Sequence, residues 1–170
     1  MIEGTRSLLL ASGLPHDWWA EAMACYCFSR NVVDRVHDDT FTPYEARHNE
    51  KFKGLLIPFG AAVEYHPTAK RETAALMKFT GKTRKGIFMG YHVASGGKFV
   101  GDYLVKDVEA FETMEYSRYI AVHRVKDVLT PTKIESPVKN GTVSAKAIER
   151  RLKEKAQKDT PLLKDENMLE

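Results

Sequence analysis

The sequence predicts an α+β fold in which helices precede a small unit of strands. Apolar residues before position 36 recur with the three-to-four spacing of helices. Residues 55–127 instead carry short β-prone runs separated by Gly and Pro turns. Residues 128–170 hold turn dipeptides and then a charged stretch with a thin apolar stripe, which is typical of a linker and a solvated helix or tail. We therefore predict three regions, with boundaries at 1–54, 55–127 and 128–170.

The first helix is predicted over residues 2–12. It ends at Gly13, which can adopt the left-handed conformation common at helix C-termini. This helix opens directly at Met1, without a capping residue or a preceding turn. Because such a start is typical of a chain cut inside a domain, we expect the beginning of this domain to be missing.

A second, longer helix over residues 14–35 is the most apolar part of the chain. Pro15 suits its first turn, and Asp17 is the expected N-cap. Polar residues hold little of its surface, so we expect the helix to be covered on both sides. Trp18 and Trp19 should then both be at least partly buried.

A short third helix is predicted over residues 43–49. Thr42 can act as its N-cap, and Pro43 suits its first position because the backbone N–H that proline lacks is unpaired there in any helix.

Four strands are predicted at 61–66, 85–93, 98–106 and 117–125. The dipeptide Gly96-Gly97 between the second and third predicts a hairpin turn. Residues 107–115 are compatible with a further strand or with a loop, and both remain open. Short strands in about 70 residues suggest a small barrel or a curled sheet, since an isolated hairpin is marginally stable.

The composition excludes several classes of protein. The 170 residues are 43% apolar and 29% charged, as in globular proteins. No apolar run approaches the roughly 18 to 20 residues of a membrane span, and the N-terminus lacks the order of a signal peptide. We therefore predict a protein of the nucleus or cytoplasm without a membrane partner. Cys25 and Cys27 lie about 200° apart on the predicted helix, so they cannot form a disulfide or share one metal ion.

Positive charge is concentrated in one segment, although the net charge is only +3. Residues 70–106 carry eight Lys and Arg against two Asp and Glu, a balance of +6. The candidate phosphate-binding residues of this segment are Lys78, Lys82, Arg84, Lys85 and Lys98. Cations in such a loop and strand can reach phosphates without reading the base sequence. A solvated basic face is the alternative interpretation.

The order of motifs resembles that of integrases from copia-type retrotransposons. Residues 12–31, SGLPHDWWAEAMACYCFSRN, are similar to the segment that follows the catalytic core in that family. Four further motifs resemble the family in the same order: Thr42-Pro43-Tyr44-Glu45, Pro58-Phe59-Gly60, Gly86-Ile87-Phe88-Met89-Gly90-Tyr91 and Ser117-Arg118. The resemblance extends from residue 3 to about residue 125. It has departures, because Ala61-Ala62 replace the usual Cys and Asn31-Val32 replaces an Asn-Arg.

The resemblance implies a more specific fold. The N-terminal helices would be what remains of an RNase H-like catalytic core, whose five-stranded sheet precedes them in the family. The strand-rich region would be an SH3-like β-barrel.

The resemblance also implies metal-dependent DNA strand transfer in the complete family enzyme, which uses two Asp and one Glu to hold two Mg²⁺ or Mn²⁺ ions. The family's Glu would lie before Met1. Glu21 falls on an Ala-Glu-Ala motif that does not bind metal in the family, and Asp38-Asp39 is better explained by turn chemistry. We therefore predict no catalytic residue, no metal site and no cofactor in this chain.

Two functions remain open at this point. The first is a Gag-Pol integrase fragment, inactive alone, that contributes nonspecific DNA binding and scaffolding to DNA integration. Its partners would be DNA and either the parent integrase or another copy of the chain. The second is a protein–protein interaction module without a nucleic-acid role. Salt-dependent DNA binding would separate them.

Overall fold

The computed structural model describes residues 1–36, 40–67, 83–113 and 120–143. Several predicted features lie outside these ranges: the candidates Lys78 and Lys82, the Asp38-Asp39 turn, the Ser117-Arg118 motif, and the helix or tail predicted after residue 143.

The α-helices of the described part are α1 (Ile2–Ser12), α2 (Trp19–Val33), α3 (Pro43–His48) and α4 (Val108–Thr113). Its strands are β1 (Ala62–Tyr65), β2 (Arg84–Val93), β3 (Phe99–Asp107), β4 (His123–Val125) and β5 (Val128–Leu129).

Helix α1 confirms the first predicted helix and its stop. Gly13 is left-handed, with φ of 74°, and its N–H donates to the carbonyl of Leu9 at 3.0 Å. A second glycine, Gly4, explains how closely α1 and α2 approach. A Cβ added at Gly4 would lie 2.2 Å from Cζ of Tyr26, so a larger residue would force the helices apart.

Helix α2 has one buried face rather than two. Trp18 is 3% exposed and precedes the buried Ala22, Cys25 and Phe28 of the same face. Trp19 is 56% exposed, which corrects the expectation that the helix is covered on both sides. The physical reason is that successive helical positions differ by about 100°, so neighbouring residues cannot both face the sheet.

The start of α2 also differs from the prediction. Asp17 lies inside a 3-10 turn over His16–Trp18, and the N-cap position of α2 is occupied by Trp18, whose side chain makes no cap hydrogen bond. The turn is closed by backbone instead, because the N–H of Trp18 donates to the carbonyl of Pro15 at 3.2 Å.

The predicted cap of the third helix is confirmed. The Glu45 N–H donates to Oγ1 of Thr42 at 3.2 Å, and Oε2 of Glu45 accepts from the Thr42 N–H at 3.1 Å. This reciprocal capping box satisfies two backbone donors that a helix start leaves unpaired. Asn49 ends the helix with a positive φ of 53°.

The five strands form one antiparallel sheet in the order β4-β3-β2-β1-β5, curled into a half-barrel. The β2–β3 hairpin confirms the turn predicted at Gly96-Gly97. Its register shifts between Phe88 and Gly90 and again near Val93, and irregularities of this kind bend a strand. The mixed helix-and-sheet fold agrees with the predicted α+β class.

Two segments differ from the sequence interpretation. Helix α4 occupies residues 108–113, where the sequence is compatible with a strand or a loop. Phe111 on this helix is fully buried and packs edge-on against Trp18, with ring centroids 4.7 Å apart. Strand β5 lies in the predicted linker and pairs with β1. It was not predicted because a two-residue strand is too short to show an alternating pattern in the sequence.

Helix α2 is joined to the sheet through a cluster of aromatic rings. Phe28 lies 4.5 Å from Tyr91 of β2 and 5.5 Å from Phe52 of the segment between α3 and β1, measured between ring centroids. Phe52 continues the cluster to Phe99 of β3 at 5.1 Å. We call residues 49–57, which lie between α3 and β1, the connector.

Tyrosine hydroxyls attach the connector to the sheet. The hydroxyl of Tyr91 accepts from the Ile57 N–H at 2.9 Å and donates to the carbonyl of Leu55 at 3.1 Å. The hydroxyl of Tyr103 accepts from the Leu55 N–H at 2.7 Å. An irregular segment thereby satisfies its backbone groups without strand pairing.

A buried cation lies beneath the first turn of α2. Lys106 is 3% exposed, and its Nζ is 4.6 Å from the ring centroid of Trp18. Burial lowers the pKa of Lys106, and the nearby charge of Glu21 opposes this effect only in part. The ammonium therefore costs free energy in the folded state that the cation–π contact offsets in part.

We predict that Tyr91→Phe lowers the free energy of unfolding by about 1–3 kcal/mol, because the Ile57 N–H stays buried without an acceptor. Denaturant titration measures the change. Tyr26→Phe is the matched control, since the Tyr26 hydroxyl makes no hydrogen bond to another residue in the described ranges. Equal effects of the two substitutions would contradict the anchoring role of Tyr91.

We predict a pH-dependent difference between the parent and Lys106→Met. The pKa of Lys106 in the folded state is below the ordinary value of 10.5. Between these two pKa values the unfolded chain binds more protons, so this residue's contribution to stability rises with pH. That contribution is fully present above 10.5 and is lost as pH falls through the folded-state pKa. The parent should therefore gain stability relative to the Met variant toward alkaline pH, whereas a constant difference would contradict this.

Candidate nucleic-acid interface

The candidate cations in the described part do not form one patch. Arg84 and Lys85 begin β2, whereas Lys98 directly precedes β3 at the opposite end of the same hairpin. Strand β2 has 10 residues, so its ends are separated by up to about 30 Å. The structure brings Arg84 and Lys85 together and leaves Lys98 at the other end.

Arg84 is engaged by a buried carboxylate. Its Nη1 lies 3.0 Å from Oδ2 of Asp107, which also accepts from the hydroxyl of Tyr65 at 3.1 Å. The other carboxylate oxygen accepts from the Glu109 N–H at 2.9 Å, at the start of α4. Arg84 thus compensates the charge of Asp107 where α4 meets the sheet, which is a structural role.

Lys85 differs from the other two because it has no ion-pair partner among the described residues. It is exposed and faces Glu64 across the β1–β2 pair. It borders a groove of about 620 Å³ whose lining includes Val63, Leu129 and Val143.

Lys98 is held by an acidic neighbour. Its Nζ lies 2.9 Å from Oε1 of Glu50 in the connector. The hydrogen bond to Lys98 lowers the pKa of Glu50, and the same bond raises the pKa of Lys98. Both groups therefore stay charged, and each offsets the other.

Three lysines that were not predicted as site residues surround another concave surface. Lys51 and Lys53 of the connector and Lys126, which follows β4, border a groove of about 310 Å³. We call this the connector groove. The alternation Lys51-Phe52-Lys53 was a usable signal, because an aromatic residue that packs inward leaves both flanking lysines facing water.

The described residues were also compared with the requirements of a metal site and of a reactive cysteine. No group of three or more His, Cys, Asp or Glu in the described ranges could hold a metal ion. Burial raises the pKa of the Cys25 thiol to about 12, so it is not a thiolate near neutral pH.

Among the helices of the described part, none is both long and apolar enough to cross a bilayer.

Comparisons with known proteins found no matching family model, no matching curated protein and no matching solved structure. Function must therefore be argued from the residues themselves.

We predict that Arg84→Gln lowers the free energy of unfolding by about 1–3 kcal/mol, because it leaves the Asp107 carboxylate buried without its cation. In an Asp107→Asn background the same substitution should cost clearly less. Denaturant titration of the four proteins gives the coupling between the two residues. Equal costs in both backgrounds would show that Arg84 does not act through Asp107.

Proposed function

We propose that this chain is a fragment of a copia-type retrotransposon integrase that contributes nonspecific DNA binding and scaffolding to integration. In this proposal the half-barrel corresponds to the family's SH3-like barrel. Helices α1 and α2 correspond to the end of its RNase H-like core. In this proposal the chain alone does not catalyse strand transfer, because the resemblance assigns no metal-binding carboxylate to any of its residues.

The observation that carries the proposal is that three of the family-like motifs, all within the described ranges, fall at positions where the fold requires them. Thr42 and Glu45 form the capping box of α3. Gly60 has φ of 77°, and a Cβ added there would lie 2.3 Å from Cβ of Ser12. A Cβ at Gly86 would lie 2.3 Å from Cγ1 of Val105. Motifs with such roles preserve a fold, which supports the assignment of the chain to a family by its architecture.

Charge supports the DNA-binding part of the proposal. Residues 70–106 have a charge balance of +6 in the sequence, although Lys106 is buried and Arg84 and Lys98 pair with carboxylates. Within the described part of this segment, Lys85 is an exposed cation that is suited to phosphate binding. Lysines act as point charges suited to phosphate contacts, which carry no direct information about base sequence. The proposed binding is therefore independent of base sequence.

A protein–protein interaction module is the second candidate. It is favoured by apolar side chains on the outer helices: Ile2, Leu10 and Trp19 are 68%, 66% and 56% exposed. Exposed apolar residues of this size often mark contact surfaces when they are contiguous. In the integrase proposal the same residues would contact the parent integrase or a second copy of the chain.

We predict that the chain binds short DNA duplexes with a Kd on the order of 10⁻⁴ to 10⁻⁶ M at physiological salt, whatever their sequence. Replacing Lys78, Lys82 and Lys85 with Ala should weaken binding to every duplex alike. It should also flatten the salt dependence by up to about 0.9 log units for each phosphate that is no longer neutralised. Arg84 is left in place because of its pair with Asp107. Fluorescence anisotropy over a salt series measures both quantities.

The matched control replaces three exposed cations outside the groove that Lys85 borders, Arg6, Arg30 and Lys139, with Ala. It removes the same charge and should change affinity little. A parent protein with no salt-dependent DNA binding would overturn the proposed function and favour the interaction module.

A further inference from the structure

The connector groove gathers positive charge from three lysines, none of which forms an ion pair with a carboxylate in the described ranges. Lys51, Lys53 and Lys126 are all exposed, and in the part of the chain that the structure describes none of them makes a hydrogen bond through its side chain. The three come from two separate segments of the chain. Their convergence is a product of the fold and could not be read from the charge of any one segment.

The groove is built on backbone that the fold holds in place. The connector is fixed by the hydrogen bond from the Leu55 N–H to the Tyr103 hydroxyl at 2.7 Å. A Cβ added at Gly54 would lie 2.5 Å from Cζ of Phe52 and 2.8 Å from Cε1 of Phe99, so the chain is pressed onto these rings. Lys126 follows Val125, which pairs with Tyr103 across β3 and β4. The three lysines therefore extend from positions that are set before any ligand binds.

The acidic residue of the groove is neutralised. Glu50 is the carboxylate among its lining residues, and Lys98 lies 2.9 Å from it. Without Lys98 the Glu50 charge would repel an anion approaching Lys51 and Lys53. Lys98 is itself not among the lining residues. Lys98 therefore affects the groove indirectly, by compensating the charge of Glu50.

The groove is suited to phosphate and not to bases. The hydroxyl of Tyr44 accepts from the Phe99 N–H at 3.3 Å, and that of Tyr103 is bound to the connector. The Tyr44 and Tyr103 residues are 5% and 6% exposed, so their rings do not offer a flat face for stacking. Phe99 also lines the groove and is partly buried, and the charged groups that the site presents to an anion are the lysine ammonium groups.

We propose that the connector groove binds backbone phosphates of DNA through Lys51, Lys53 and Lys126, and that Lys98 assists by cancelling the charge of Glu50. The inference rests on the proposed function for its ligand, but it places the contacts on residues outside the basic segment 70–106 except for the indirect Lys98. It also makes a distinct statement about Lys98, which acts through Glu50 and does not touch phosphate.

The first experiment replaces Lys51, Lys53 and Lys126 with Gln in the full chain. Because three cations that neutralise phosphates are removed, affinity for a short DNA duplex should fall on the order of 10²-fold at 0.15 M salt, and the salt slope should flatten by up to about 2.7. The control is Arg6, Lys133 and Lys139 replaced with Gln. Circular dichroism verifies that both variants fold, as expected for exposed positions.

The outcomes separate this inference from the proposed function. If the parent binds DNA and the groove variant binds like the control, the inference fails while the proposed function stands. If the parent does not bind DNA, both fail. If the groove variant loses affinity for DNA and the control does not, the inference is supported, even when replacing Lys78, Lys82 and Lys85 leaves DNA binding unchanged.

The second experiment is a double-mutant cycle on Glu50 and Lys98. Lys98→Gln should weaken DNA binding severalfold when Glu50 is present, because the carboxylate is then uncompensated. In a Glu50→Gln background the same substitution should have a much smaller effect. Equal reductions of affinity in both backgrounds would show that Lys98 contacts phosphate directly and would overturn its assigned role.

Discussion

The packing of Phe28 against Tyr91 is the contact on which the rest of the structure depends, because it joins α2 to the central strand of the sheet. The ring centroids are 4.5 Å apart. Truncation of a buried Phe to Ala typically costs about 3–5 kcal/mol, whereas an exposed ion pair contributes about 0–1 kcal/mol. The aromatic cluster, and not exposed ion pairs, therefore determines how α2 and the half-barrel are held together.

The same cluster positions the surface that we assign to DNA. Phe52 packs into it from the connector, and this inward packing leaves Lys51 and Lys53 at the surface. The hydroxyls of Tyr91 and Tyr103 then fix the connector backbone. The connector thus contacts the apolar core on one side and borders the basic groove on the other. A change in the packing of Phe52 is therefore expected to alter the positions of Lys51 and Lys53.

The parts of the fold that depend on helix ends, caps and turns could be predicted from the sequence. Helix α1 ends at Gly13, the Thr42 cap begins α3, and the Gly96-Gly97 turn closes the β2–β3 hairpin, because each depends on local residues. Helix α4 and strand β5 depend on partners distant in the sequence, so local patterns could not predict them. The candidate site divides in the same way: the charge of Lys98 was visible, but its pairing with Glu50 and the convergence of Lys126 on the connector require the fold.

The central claim is that a connector fixed by the aromatic cluster presents lysines to DNA phosphates. The most direct measurement is an NMR titration of the isotopically labelled chain with a short DNA duplex. We expect shifts of the Lys51, Lys53 and Lys126 backbone amides that grow with added duplex and disappear at high salt, while the Arg6 and Lys139 amides stay unchanged. Unshifted amides at these three lysines, under conditions where the duplex is bound elsewhere on the chain, would contradict it.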